Sequence, residues 1–478
     1  MLAISTSRSI PKSATAIDVP VAADELDQLG ADQKRVAELQ GFEGKVGQTL
    51  VMAGVTDQPL DVLVGIGERA EITVDSLRRS AAAFVRSVSG HKAVATTLVE
   101  QAGDLDLSAV VRAVVEGLGL ASYRYTAQKS DPKPATLRKA TVVATGKGVK
   151  LAFDQGVASV AAVTLARDLV NEPGGSLLPV SFAAVAKKVA TEAGLKVTIW
   201  DEKRIAREKL GGVLGVNQGS THPPRFVMIS YTPKGKPTAN LAFVGKGVTF
   251  DSGGLSIKPA ASMMDMKIDM GGAAAVLGAM TLLPILGAPA AVTAYIPLTD
   301  NMVSGDAIRP GDVLTARNGK TIEVLNTDAE GRLILADALS LAAEKKPDAI
   351  IDIATLTGAV TAALGTKIAG VLGTDGPVAA CEAASAATAE KLWHLPLPSE
   401  YRSLLDSTIA DLRNIGTGPY GGALVAGLFL QEFTDGVPWA HLDLGVTASC
   451  DADDGINTKG ATGVGVRLLA ELAVSWGK

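Results

Sequence analysis

Ala349-Ile350-Ile351-Asp352-Ile353 is apolar on both of its alternating faces apart from one acid. Successive side chains of a strand point to opposite faces, so such a run belongs in a sheet covered on both sides. Working outward, strands are expected at Lys196–Trp200, Arg225–Tyr231, Ala239–Val244, Val292–Pro297, Ile322–Leu325, Ala349–Ala354 and Ala440–Leu444. Helical patterns at Pro179–Ala193, Gly271–Leu283, Arg332–Glu344 and Gly421–Phe433 alternate with them. This alternation predicts an α/β fold: a large αβα layered domain around a central mostly parallel or mixed sheet. In such sheets, sites gather at the carboxyl ends of the strands.

The first third alternates on a smaller scale. Strands are expected at Thr49–Val55, Asp61–Gly67, Ala93–Val99 and Lys139–Ala144, with helices at Val74–Ser87 and Leu107–Leu118. A helical pattern over Gly156–Val170 ends at Asn171-Glu172-Pro173-Gly174-Gly175, where proline and paired glycines stop it. The expected organisation is a small α/β domain over 1–150, a connecting helix over 151–172 and a larger α/β domain over 173–478.

A chain of 478 residues, 47% hydrophobic and 20% charged, is a globular protein too long for one ordinary core. Its formal charge of -5 gives no electrostatic reason to expect nucleic acid or an anionic membrane as partner. The two cysteines, Cys381 and Cys450, cannot build a disulfide framework and read as ordinary buried thiols. The uncharged stretch Met270–Thr299 is divided by Pro284, Gly287 and Pro289, so it reads as a buried helix, a turn and a strand rather than a membrane span. The start of the chain lacks a sustained apolar core, and the expected location is cytoplasmic.

The chemistry gathers in two polar clusters. Asn326-Thr327-Asp328-Ala329-Glu330-Gly331-Arg332-Leu333 places two acids and a guanidinium at alternate positions. In an extended segment at a strand end, Asp328, Glu330 and Arg332 would converge on one side, and acids so close repel unless a cation sits between them. Upstream, Val244-Gly245-Lys246-Gly247-Val248-Thr249-Phe250-Asp251-Ser252-Gly253-Gly254 leads to Lys258, and Met266-Lys267-Ile268-Asp269-Met270 adds an acid before a helix. Taken alone, Asp269 could be a helix cap and Lys246 a surface lysine in a glycine loop. The Walker spacing is absent, so the loop is not read as a phosphate cradle. Of the four histidines, none sits beside a nucleophile elbow or at metal-ligand spacing, and His441 reads as a hydrogen-bonded core residue. If Asp251, Asp269, Asp328 and Glu330 share one site, two divalent cations balance their charge, and carboxylate oxygens suit Mn²⁺, Mg²⁺ or Zn²⁺.

These blocks, with Asp168-Leu169-Val170-Asn171-Glu172-Pro173 before them, resemble in order the motifs of the leucyl aminopeptidase family, the two-metal cytosol aminopeptidases. The likeness covers roughly the last two-thirds of the chain. The first third is compatible with the family's small macro-like domain but carries no diagnostic motif. The resemblance implies a metallo-exopeptidase that uses a bridging hydroxide between two divalent ions, Mn²⁺ or Zn²⁺, to hydrolyse peptides with a free N-terminus. It implies Lys246, Asp251, Asp269, Asp328 and Glu330 as metal ligands, with Asp251 and Glu330 bridging. Lys258 and Arg332 resemble the catalytic pair, Lys258 stabilising the oxyanion and Arg332 holding a bicarbonate that serves as base. Met266, Asn326, Thr355 and Gly358 align with substrate-binding positions that favour leucine-like residues. The turn after Asp443, Leu444-Gly445-Val446-Thr447-Ala448-Ser449-Cys450, departs from the family's Ala/Gly-rich turn and leaves side-chain preference open. A homohexamer, a dimer of trimers, is also implied. A DNA-binding or regulatory role is the alternative that some relatives suggest.

Overall fold

A computed structural model describes residues 2–52 and 58–477. The chain forms two compact units: residues 1–164 with 451–460, and residues 165–450 with 461–478. The division falls inside one long helix, Val149–Asn171.

The first unit holds strands β1 (Ala3–Ser7), β2 (Ala16–Val21), β3 (Thr49–Val51), β4 (Leu60–Gly65), β5 (Ala93–Thr96) and β6 (Lys139–Val143), in the order β1-β6-β5-β2-β4-β3. All pairings are parallel except β3 with β4. The last part of the expected strand Thr49–Val55, from residue 53, lies outside the described residues. Helix Val74–Ser87 starts at a reciprocal cap between Thr73 and Ser76. Its Arg78 pairs with Glu116 of helix Leu107–Ala121 at 2.9 Å. Strands β1 and β2 were not legible in the sequence, because polar residues break their apolar alternation.

The second unit continues with β7 (Lys196–Trp200), β8 (Arg225–Tyr231), β9 (Asn240–Gly245), β10 (Gly247–Asp251), β11 (Ala291–Asn301), β12 (Val313–Thr315), β13 (Thr321–Glu323), β14 (Ala349–Ala354), β15 (Ala369–Gly373), β16 (Leu392–His394), β17 (Leu412–Arg413) and β18 (Trp439–Asp443). Its nine-stranded sheet runs β16-β15-β18-β14-β9-β11-β8-β7, with β10 added beside β11. The centre, β18-β14-β9-β11, is parallel, β15 joins β18 and β8 joins β11 and β7 antiparallel, and the edge strand β16 pairs parallel to β15, so the sheet is mixed. The opening pentapeptide lies in β14 at the middle, and every residue of that strand is buried. Asp352 is tolerated there because it accepts Trp439 Nε1–H at 2.6 Å and lies 2.6 Å from His441 Nδ1. His441 is thus the hydrogen-bonded core residue its sequence context suggested.

Helix Gly331–Ala343 is buried along its whole length. Its Leu333, Leu335 and Leu339 pack in one core with Phe226, Tyr295, Ile350, Phe429 and Trp439. Helix Gly271–Leu286 approaches β14 so closely that a Cβ at Gly272 would lie 2.0 Å from the Ile353 carbonyl oxygen, so only glycine fits there. Among the described residues, two helical stretches, Val149–Asn171 and Met266–Leu286, are long and apolar enough to cross a membrane by length and composition. In the second, 83% of the apolar window is buried inside the protein, as the helix-turn-strand reading expects. Cys381 is buried, whereas Cys450 is only half-buried, at the short strand Ser449–Cys450.

Two local readings of the sequence change. The expected strand Ile322–Leu325 moves to β13, Thr321–Glu323, which pairs with β12 and β17 in a small separate sheet. The glycine segment after β9 is itself a strand, β10, because Gly247 and Val248 pair with Leu298 and Thr299 of β11.

Candidate active site

The carboxyl ends of β9, β10, β11, β14 and β18 deliver Lys246, Asp251, Asn301, Thr355 and Asp443 to the same edge of the sheet, each being the end residue or next to it. The octapeptide at 326–333 is not extended. Thr327 and Asp328 form a turn, Glu330 already has helical dihedrals, and Gly331 begins a helix. The convergence of its acids therefore comes from a turn into a helix rather than from strand alternation. Asn326 makes that turn: its Oδ1 accepts the Asp328 N–H at 2.8 Å.

Oxygens of Asp251, Asp328 and Glu330 lie within 4.8 Å of one another. Lys246 Nζ is 2.8 Å from Asp269 Oδ1 and 2.8 Å from Glu330 Oε1, and donates to the Thr355 carbonyl at 3.0 Å. Lys258 Nζ is 2.9 Å from Asp251 Oδ2 and 2.6 Å from Asp328 Oδ1. Asp269 accepts the Thr355 hydroxyl at 2.8 Å, and the helix that follows it has no side-chain cap. The capping reading of Asp269 is thereby excluded. Lys246 is buried, not on the surface, and a Cβ at Gly331 would fall 2.5 Å from its Cε.

The electrostatics follow from burying three acids and half-burying a fourth beside two ammonium groups. Burial and the neighbouring Glu330 charge raise Asp251 to about 7, against the pull of Lys258 and Lys246. Burial likewise raises Asp269 and Asp328. Glu330 goes the other way: burial opposes its charge, but Lys246 and Lys258 together hold it low. Burial works against the Lys246 ammonium, yet Asp269, Glu330 and Asp251 push it net upward. Lys258 rises for the same reason, burial being outweighed by Asp251 and Asp328. Burial lowers Arg332 to about 10, against the opposing pull of Glu330 and Asp443. Its Nη1 donates to the Asn414 carbonyl at 2.7 Å, while Nε is buried with no hydrogen-bond partner.

Met266 is half-buried at the start of the short 3-10 turn Met266–Met270. Gly358 opens helix Gly358–Leu364, and a Cβ there would meet nothing within 4 Å. Asn301 and Asn414 went unread in the sequence, and Thr327 was quoted within the octapeptide without a role. Asn301 joins Asp251 to the octapeptide. Asn414 braces it through the Leu325 N–H (2.9 Å) and the Asn326 carbonyl (2.6 Å). Thr327 donates to the Gly253 carbonyl at 2.6 Å. The polar ending of β11, Thr299-Asp300-Asn301 after an apolar run, was the one available signal.

Comparison with known proteins identifies the family. The description "Cytosol aminopeptidase family, catalytic domain" matches residues 164–470, and its N-terminal domain matches residues 16–132. The chain belongs to the cytosol aminopeptidase family. It is a peptidase hydrolase, a metallo-exopeptidase that depends on divalent metal. Relatives named "Probable cytosol aminopeptidase" include that of Mycobacterium leprae, 46% identical over 417 residues, 85% of this chain and 79% of that one. The protein of the same name from Rhodococcus jostii is 44% identical over 441 residues, 90% of this chain and 86% of that one. Among solved structures, the bottromycin maturation enzyme BotP in complex with Mn has a TM-score of 0.90 at 37% identity, covering 97% of this chain and 100% of that one. A variant of tomato leucine aminopeptidase has a TM-score of 0.89 at 31% identity, covering 99% and 96%.

Proposed function

We propose that this chain removes N-terminal, leucine-like residues from peptides with two divalent ions, Mn²⁺ or Zn²⁺, at the edge of the sheet. One observation carries the reading: the carboxylates of Asp251, Asp328 and Glu330 meet within 4.8 Å. The residues fit the ions. Asp269 Oδ2, Asp328 Oδ1 and Glu330 Oε1 are buried without a hydrogen bond, the last two having only an ammonium nearby, and hard carboxylate oxygens suit such cations. In this reading Asp251 and Glu330 would serve both ions, Asp269 and Lys246 would complete one position, Lys246 as a neutral amine once the cations displace its proton, and Asp328 would complete the other. When bound, the ions would activate a water as the nucleophile and polarise the scissile carbonyl.

The chain's own groups do the rest. Lys258 is already held beside Asp251 and Asp328 and presents an ammonium where negative charge develops on the carbonyl oxygen. Arg332 keeps a buried, unpartnered Nε–H suited to an oxyanion, which favours a bicarbonate there as proton acceptor. Met266 and the open space beside Gly358 bound the side-chain pocket in this reading. Thr355 and Asn326 contribute chiefly by holding Asp269 and the Asp328 turn. The DNA-binding reading has no support in the comparisons or in the charge balance.

Metal-loaded protein is expected to hydrolyse leucine amide and leucine p-nitroanilide, to spare their N-acetylated forms, and to lose activity on chelation. Failure to cleave any unblocked aminoacyl substrate refutes the proposal. Asp328→Ala should lower metal stoichiometry along with rate, and full occupancy in that variant would remove Asp328 from the ligand set. We assign residues 1–150 to a macro-like domain, 151–172 to a connector and 173–478 to catalysis. The assembly proposed is a cytoplasmic hexamer, which light scattering at six chain masses supports and a monomer mass refutes.

A further inference from the structure

Asn301 is the last residue of β11 and is 2% exposed. Its carbonyl accepts the Ser252 N–H at 3.0 Å and the Ser252 hydroxyl at 2.7 Å, which ties the end of β11 to the residue after Asp251. Its side-chain Nδ2 donates to Asp251 Oδ1 at 2.8 Å and to the Thr327 carbonyl at 3.0 Å. A primary amide has two N–H donors, so both are used, one on each segment that brings an acid to the cluster. Asp251 Oδ1 also accepts the Gly253 N–H at 2.8 Å. Two donors occupy the lone pairs of that oxygen and leave Oδ2, the oxygen 2.9 Å from Lys258 Nζ, facing the cluster. A neutral amide achieves this without adding a charge to a site already crowded with acids. A leucine would leave the Thr327 carbonyl and Asp251 Oδ1 short of a donor, and an aspartate would set a further acid against Asp251.

We propose that Asn301 is a positioning residue for the metal centre, its amide selecting Oδ2 of Asp251 as the metal-binding oxygen and fixing the Thr327–Asp328 turn against it. The inference rests on the reading of Asp251 and Asp328 as ligands. It assigns Asn301 no contact with substrate or ion. Partners that orient a ligand in this way typically change metal affinity by about 10- to 100-fold when removed.

The test uses the full chain freed of metal. Mn²⁺ affinity is measured by calorimetry, and Co²⁺ binding by its visible absorption, for the parent, Asn301→Ala and Asn301→Ser. The expected result is Mn²⁺ binding weaker by about 10- to 100-fold in both variants, with an altered Co²⁺ spectrum and a metal-free protein that still folds cooperatively, its unfolding midpoint lowered only modestly by the two lost hydrogen bonds. Parent-like affinity and spectrum in either variant overturn the proposal. Loss of the metal-free fold in both also overturns it, by making Asn301 a residue of general stability. Asp251→Asn separates the premise from the inference. Full metal occupancy there removes Asp251 as a ligand and both claims fall. Reduced occupancy there, with parent-like affinity in Asn301→Ala, sinks the Asn301 claim alone.

Discussion

Lys246 and Lys258 reach the acids from two directions and in different settings. The Lys246 side chain is 4% exposed, ringed by Asp269, Glu330 and the Thr355 carbonyl, with the Gly331 backbone too close for any added carbon. The Lys258 side chain is more open, at 14%, and pairs with Asp251 and Asp328. The buried lysine suits a ligand and the open one a group that meets substrate. Lys258→Met should therefore keep metal stoichiometry near the parent value and lower kcat/KM by about 10²- to 10³-fold, the usual loss on removing one oxyanion donor. Activity within a few-fold of the parent, measured on leucine amide with metal content assayed in parallel, would defeat that role. The sequence revealed which residues carry charge here, but not how they meet. Alternate spacing suggested a shared strand face for Asp328, Glu330 and Arg332, whereas Asn326 folds the segment into a turn and a helix takes over at Gly331. Asn414 and Asn301 were illegible because a neutral amide carries no charge signal and their partners lie far off along the chain.

Strands read well where burial is two-sided and poorly where polar residues interrupt. β14 stands out as a continuous apolar run, and its one acid is hydrogen-bonded by partners on the neighbouring strand β18. β2 hid because Asp18 and Pro20 break it, yet that aspartate joins strands in the first unit. It is 2% exposed, accepts the Thr97 N–H at 2.6 Å and is hydrogen-bonded by the Thr96 hydroxyl at the end of β5. Burial raises its pKa from the ordinary 3.8 to about 6, against the lowering effect of the Thr96 and Thr97 donors. A carboxyl that binds its proton more tightly when folded favours the fold most below the unfolded pKa. Its contribution falls as pH rises through the window from about 4 to about 6 and is flat above it. Relative to Asp18→Asn, the parent should thus lose about 3 kcal/mol of stability across that window. Urea unfolding of both proteins at several pH values checks this. A difference that stays constant from about pH 4 to about pH 7 would show that Asp18 keeps an ordinary pKa.

For the molecule as a whole, the decisive quantity is how tightly cations are linked to folding. The second unit buries Asp251, Asp269 and Glu330, and half-buries Asp328, and Lys246 and Lys258 are the ammonium groups paired with them. The unfolded chain would return these acids to water and scatter them, so ions that bind the cluster bind the folded state preferentially. Each ion present at about a hundredfold excess over its dissociation constant should then add about 2.7 kcal/mol to the unfolding free energy, and chelation should remove it. The sign is testable without any substrate. Thermal unfolding after exhaustive chelation should occur at a lower temperature than with Mn²⁺ restored, and the shift should grow with the logarithm of free Mn²⁺. Asp328→Ala should blunt this dependence while leaving the chelated midpoint nearly in place, because it removes a ligand and one of four crowded charges together. A midpoint indifferent to Mn²⁺ in the parent would mean that the cluster is held by its lysines alone, and the reading of these acids as a metal site would fall with it.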